Sequence, residues 1–369
     1  MKLDARSAAA LFSPKKLTQA RQMMAITRAE LARRAEVSAA SVSQYESGAM
    51  RPRPATLAQL ALVLHVPIEF LTESRINTPI PTVDTSFFRS LRRTTQRDRE
   101  RAAAFAGLLA QLVAEIERRV TLPVFTPLPD LALDPEGDLE SAEQAAVCVR
   151  ELWDLGESPL PHAVRLIERH GVIVVRLPMS TSDVDAFSWA DGPRPLVLLG
   201  DEKRDFERSR FDVCHELAHV LLHAADPEPA HPGMERQAHR FAGAFLIPAG
   251  PLAEEWPRGR WDWSQLVRIK ERWGISIGAQ LMRGRNLGLL SSDGYQSKVK
   301  YMSRMGWRRR EPGPHRPPEK PDLLNQAIGL LENNGTTLDS VAEEGNLLGR
   351  DVLLERLCLT PRLPLRVDG

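Results

Sequence analysis

The sequence predicts a multidomain protein: an all-α domain of short helices, then an α+β domain with helical additions. Three observations carry this expectation. At 369 residues the chain is too long for one ordinary core. Residues 15–71 read as Ala-rich periodic segments separated by cap residues, with Thr27 ahead of RAELARRA and Ser38 ahead of AASVSQYE. Strand-like runs enter only later, as VIVVRL at 172–177, DAFSWA at 185–190 and PLVLLG at 195–200.

Residues 1–72 form the first expected domain, and 73–130 hold a linker and a long connecting helix. The run ESRINTPIPTVD (73–84) has two prolines and no periodicity. A helix then fits 85–120, with Phe87, Leu91, Phe105, Leu108, Leu112 and Ile116 along an apolar stripe, and prolines at 123, 127 and 129 end it. The second domain is expected at 131–310. It opens with two helices over 140–170, ending at His170-Gly171. The three strands follow, the last two joined as a hairpin at Asp191-Gly192-Pro193. Helices are then expected near 203–224, 234–246, 263–273 and 276–288. Residues 311–369 are expected to be a Pro-rich linker and a small helical tail, with RRREPGPHRPPEKP (308–321) exposed.

Apolar content of 43% and charged content of 26% are those of a soluble globular protein. No apolar run approaches the roughly 20 residues that span a bilayer, and the start MKLDARSAAALF lacks a signal-peptide pattern. Cys148, Cys214 and Cys358 are scattered and odd in number, which argues against a disulfide framework and for the cytoplasm. The net charge of +1 conceals an asymmetry. Residues 1–72 hold ten Lys/Arg against five Asp/Glu, whereas 130–160 hold one Arg against nine Asp/Glu. The basic front end suits a polyanion.

Within that front end, LARRAEVSAASVSQYESG is followed by TLAQLALVLHVPIEFL. Leu31, Ala35, Val37, Val42 and Tyr45 are spaced to pack two helices together, with Ala32 small enough for a close crossing. The outer face of the second helix would offer Ala39, Ala40, Ser41, Ser43 and Gln44, of which Gln can bond adenine bidentately and Ala methyls suit a thymine methyl. The stretch 27–71 resembles the XRE (lambda-repressor-like) helix-turn-helix family. That resemblance implies a double-stranded DNA operator, a possible homodimer on paired half-sites, and phosphate contacts from Arg28, Arg51 and Arg53.

The string FDVCHELAHVLLH contains an HExxH, His215-Glu216-Leu217-Ala218-His219. Two histidines four apart share one helix face and can reach one ion, and Glu216 between them can act as general base. One tetrahedral site needs a third protein ligand. Glu235 is the leading candidate, because zinc peptidases with two His and one Glu commonly carry that Glu on the following helix. His239 lies one turn further on the same face and is either a supporting group or the replacement ligand. His223 continues the His215/His219 face but lies about 6 Å along the axis, beyond comfortable coordination, and reads as a supporting residue. His231, in a Pro-rich loop, reads as exposed.

These residues resemble the ImmA/IrrE metallopeptidase family, whose zincin-like domain often shares a chain with an XRE domain. The family pattern HE-x-x-H-x-x-x-H, then E-x-x-AN-x-FA, is matched here except that His239 stands where Asn is usual. FFRSLRR (87–93) and 272–290 also look like segments of longer members. The resemblance implies bound Zn2+ and an endopeptidase acting on a protein substrate, typically a repressor, in stress response or mobile-element control. The competing readings are a transcription factor whose peptidase-like domain senses a ligand, and an antitoxin-like partner of a toxin. PLVLLG is a candidate edge for an extended substrate. The helix over 276–288, with Arg283 and Arg285, lacks the turn signature of a second DNA reader.

Overall fold

A computed structural model of the chain describes residues 3–73, 95–177, 186–200, 205–223 and 231–361. The N-terminal part packs α1 (Ala5–Ala10), α2 (Pro14–Met23), α3 (Arg28–Arg34), α4 (Ala39–Glu46) and α5 (Pro54–Leu64). Thr27 and Ser38 cap α3 and α4, their side chains accepting from the backbone N–H of Glu30 and Ser41. Leu31, Ala32, Ala35, Val42 and Tyr45 are buried between these helices, and Val37 packs at the edge.

The connecting helix α6 (Gln96–Glu117) is shorter than expected at its start, where Thr95 caps it by accepting from Asp98 N–H. Residues 85–94, with Phe87 and Leu91, lie outside the described residues. Its pattern also differs from a single apolar stripe, since residues 102–113 are all buried. A helix apolar all round needs partners all round. Here they are α2, the sheet, and tail helices α15 and α16, described below. The small residues of AAAFAG let these neighbours come close. Two polar side chains of α2 are buried in the junction. Lys16 Nζ donates to Gln111 Oε1 at 2.6 Å and lies 4.4 Å from the Phe70 ring centroid. Gln19 Nε2 donates to the Ala104 carbonyl at 3.1 Å.

After α7 (Leu139–Leu152) and α8 (Ala163–Arg169) comes a sheet of β1 (Ile173–Leu177), β2 (Ala186–Trp189) and β3 (Leu196–Gly200), in the order β1-β3-β2. The expected hairpin forms, with β2 antiparallel to β3, while β1 runs parallel to β3. Strand β3 is therefore central and paired on both sides, so PLVLLG cannot serve as the edge for an extended substrate. Gly171 ends the α8 turn at φ +86°, where a Cβ would lie 2.3 Å from the Phe125 nitrogen. Side chains alternate across the sheet. Ile173, Val175, Leu177, Phe187, Trp189, Leu196 and Leu198 join the core around α6, whereas Val174, Ala186, Val197 and Leu199 join a second core. One thin sheet thus separates the two cores.

The second core is completed by α9 (Phe206–Leu222), α10 (Pro232–Leu246), α11 (Ala249–Glu255), α12 (Trp263–Trp273), α13 (Ile277–Asn286) and α14 (Ser292–Arg304). Arg283 is buried and ion-paired with Glu143 of α7, so α13 spends this arginine on packing. The tail forms α15 (Leu323–Asn333), α16 (Leu338–Glu344) and α17 (Arg350–Arg356). Residues 308–321 are not exposed throughout. Glu319 is buried, paired with Arg210 of α9, and accepts from Val164 N–H at 2.9 Å. Of the three free cysteines, Cys214 is buried, Cys148 half-buried and Cys358 exposed.

Burial pushes the Lys16 ammonium down to about 7. Between that pH and about 10, the unfolded chain binds more protons than the folded one, so this group makes stability rise with pH across the window. Lys16→Met is expected to remove that rise. Denaturation midpoints measured against pH check this, and a variant that keeps the parent's rise between about pH 7 and 10 contradicts it.

Candidate functional site

Helix α9 starts at Asp205, whose side chain accepts from Arg208 N–H, and carries the HExxH in its second half. The spacing of four brings the His215 and His219 rings to 4.8 Å between centroids, with their Nε2 atoms 3.1 Å apart. Helix α10 packs along α9, starting at Pro232 with His231 as its cap; His231 is half-buried rather than exposed. Glu235 falls in the first turn of α10, where the helix dipole favours a carboxylate. Its oxygens lie 3.3 Å from His215 Nε2 and 3.5 Å from His219 Nε2. One ligand atom from each of the three residues lies within 4.8 Å of the others.

This donor set fits a divalent cation. The Nε2 atoms of His215 and His219, 3.1 Å apart, and the Glu235 oxygens converge on one point, each able to offer a lone pair to an ion. The set of two imidazoles and a carboxylate is that of a catalytic zinc-type site with an open position. Electrostatics agree. Burial works against the Glu235 carboxylate, but the His215 and His219 rings facing it outweigh that and hold its pKa well below the usual range. Burial also opposes a charged His215, yet the hydrogen bond to Glu235 and the Glu216 charge raise its pKa overall.

Glu216 is almost fully buried, and that burial raises its carboxyl to about 7. Ser188 Oγ donates to Glu216 Oε2 at 2.7 Å. Alternation along β2 puts Ser188 on the α9 side, opposite Phe187 and Trp189. Ser188 does not stand out in the sequence, where its one signal is a lone hydroxyl within the otherwise apolar run AFSWA (186–190). His239 stays outside the converging trio. The residue is exposed, but its ring lies 4.6 Å from that of His215 and 5.6 Å from Phe211, and desolvation by these neighbours, with the His215 charge, lowers its pKa to about 4. His223 turns away from the trio, its Nδ1 3.0 Å from His219 Nδ1 and its Nε2 3.0 Å from Gln237 Oε1. Gln237, likewise inconspicuous, occupies the core stripe of α10 with Met234 and Phe241. A polar residue in an apolar stripe was its signal.

At the other end of the chain, α4 leaves Ala39, Ala40, Ser43 and Gln44 exposed on one surface. Ser41 is half-buried, its hydroxyl 2.8 Å from that of Ser38. Arg51 and Arg53 are exposed beyond α4, Arg51 donating to the Ala10 carbonyl at 3.0 Å. Arg28 is instead paired with Glu46 at 2.6 Å. Glu46, unremarked in the sequence, also holds the buried Arg21 at 2.5 Å, and so ties α2 and the start of α3 to α4.

Residues 17–71 match the family model described as helix-turn-helix, and residues 167–283 match that of a peptidase family, described as the IrrE N-terminal-like domain. The chain joins an XRE-type helix-turn-helix to an IrrE-like domain. No curated protein matches it. The IrrE-like match covers β1 to α13, hence the sheet, both metal-motif helices and Ser188. The helix-turn-helix match contains the exposed face of α4. Among the described residues, no helix is long and apolar enough to cross a membrane.

Glu46→Ala would leave Arg21 buried without its counter-ion. We expect it to destabilise the helix-turn-helix domain by about 3 kcal/mol, measured by thermal denaturation. A change below about 1 kcal/mol would show the brace to be an ordinary surface pair.

Proposed function

We propose that this chain is a DNA-binding transcriptional regulator whose IrrE-like domain is a zinc-dependent endopeptidase. Its target would be a repressor or another partner protein, in a stress or mobile-element response. The observation that supports the reading best is the convergence of His215, His219 and Glu235, with Glu216 beside them on the same helix. Those three residues would hold Zn2+, and Glu216 would be the catalytic residue. When bound, zinc supplies Lewis acidity, polarising a peptide carbonyl and acidifying a water.

The protein's own part in the reaction is proton handling. A carboxyl near 7 is matched to taking a proton from water and passing it to the departing amine. Ser188 holds Oε2 of Glu216, so Oε1 would be the oxygen that carries the transferred proton. His239 stays neutral beside His215.

The regulator half of the proposal rests on α4. Its exposed Ala39, Ala40, Ser43 and Gln44 would enter the major groove of a double-stranded operator, Ser41 serving mainly the helix cap. Arg51 and Arg53 would contact phosphates. Arg28, held by Glu46, would contribute less than the motif implies. Such a chain works in the cytoplasm, and a homodimer would suit paired half-sites. A second reading, in which the IrrE-like domain only senses a ligand or partner, has one observation in its favour. The sheet beside the metal helix is also a wall of the core that holds α2 and α6.

Two experiments test these proposals. Cells expressing the parent or Glu216→Gln are compared by proteome-wide sequencing of new N-termini, with zinc measured in both purified proteins. The expected result is equal zinc and a defined set of new termini with the parent alone. Equal zinc with no parent-specific termini favours the sensor reading. For DNA, the Arg51→Ala/Arg53→Ala double variant is expected to weaken duplex binding irrespective of sequence. It should also flatten the log Kd–log salt slope by about 0.9 for every phosphate that is no longer neutralised, as read by fluorescence anisotropy. An unchanged slope removes both arginines from the interface.

A further inference from the structure

We propose that Gln237, acting through His223, fixes which ring nitrogen of His219 carries the proton and so presents the His219 Nε2 lone pair to the metal. The assignment rests on the metal-binding reading above and makes Gln237 and His223 positioning residues.

The argument starts at the backbone. Gln237 Nε2 lies 2.8 Å from the Asp134 carbonyl and 3.5 Å from that of Gly137. A carbonyl oxygen only accepts, so the atom facing it must be the amide NH2. That choice turns Gln237 Oε1, an obligate acceptor, towards His223 Nε2 at 3.0 Å, which must donate. A neutral imidazole that donates from Nε2 accepts at Nδ1. His223 Nδ1 faces His219 Nδ1 at 3.0 Å, so His219 donates from Nδ1. The lone pair of His219 is then on Nε2, the atom lying 3.1 Å from His215 Nε2 and 3.5 Å from Glu235. With both imidazoles neutral, reversing any one of these bonds places two donors or two acceptors face to face in the interior.

Burial makes the chain of bonds strict. His219, His223 and Gln237 are 5%, 3% and 0% exposed, so water cannot substitute for a lost partner. The anchor at Asp134 is itself held against α10. Gly233 sits so close to the Pro135 carbonyl that a Cβ there would lie 1.8 Å from the oxygen. Glutamine is the side chain that serves both ends, donating to a carbonyl and accepting from an imidazole. Leucine has the bulk but neither function. Hydrogen bonds of this kind behind a histidine ligand fix its orientation and tautomer, and their loss typically lowers metal affinity by about 10–100-fold.

Two measurements test the assignment. Long-range 1H–15N correlation spectra of the metal-free full-length protein report the tautomer of each histidine, with His219→Asn used to assign the signals. The expected result is protonated Nδ1 for His219 and protonated Nε2 for His223. Zinc affinity is then measured by chelator competition for the parent, Gln237→Leu and Gln237→Glu. Gln237→Leu is expected to lose about 10–100-fold and to show a mixed His219 tautomer. Gln237→Glu loses the donor to the Asp134 carbonyl but keeps an acceptor for His223, so its His219 tautomer should match the parent's. A His219 protonated on Nε2 in the parent overturns the proposal without any variant having to fold. So does a Gln237→Leu protein with unchanged tautomer and affinity. A parent that shows the expected tautomers but binds no zinc refutes the metallopeptidase reading instead.

Discussion

The packing of α10 along α9 is the constraint on which the site depends. Helix α9 alone offers two imidazoles and a neighbouring carboxyl. The carboxylate of Glu235 meets them only because Ala238, Phe241, Ala242 and Phe245 of α10 are buried in the core that also takes Val213, Cys214, Leu217 and Leu221 of α9. Apolar contact is non-directional, so it sets the distance between the helices but not the fate of each proton. The polar residues threaded through the same interface decide that. Glu216, His223 and Gln237 are all buried, and each meets a named partner.

The sheet gives the molecule its second organising feature. A three-stranded sheet with both faces covered places Ser188 next to Glu216 and, one residue either side, Phe187 and Trp189 in the core around α6. That core also contains the helix-turn-helix and the tail. The DNA-reading end is thus seated on the protein through α2 and α6 rather than tethered as a separate bead. Any rearrangement of β2 on the Glu216 side must move side chains on the other face, because a strand cannot shift one face alone.

Local features were legible in the sequence, and long-range ones were not. The caps Thr27 and Ser38, the shared face of His215 and His219, and the hairpin at residues 191–193 all depend on residues a few positions apart. The position of β3 was misread because its parallel partner β1 precedes it by more than twenty residues, and pairing at that separation leaves no periodic trace. The burial of α6 on all sides over residues 102–113 is not legible for a similar reason: two of its neighbours, α15 and α16, come from the far end of the chain. Ser188, Gln237 and Glu46 share one explanation. Each is a single polar residue in a segment whose pattern is set by its apolar neighbours, and its partner lies on another element.

The pairing of Glu319 with Arg210 bears on how the chain can be divided. Arg210 is buried on the helix that carries the HExxH, five residues before His215, and its counter-ion comes from a Pro-rich stretch more than a hundred residues later. A fragment ending before Glu319 would strand a guanidinium inside the protein, at the foot of the metal-motif helix. The IrrE-like match ends at residue 283, whereas the counter-ion of this helix's buried arginine lies at 319.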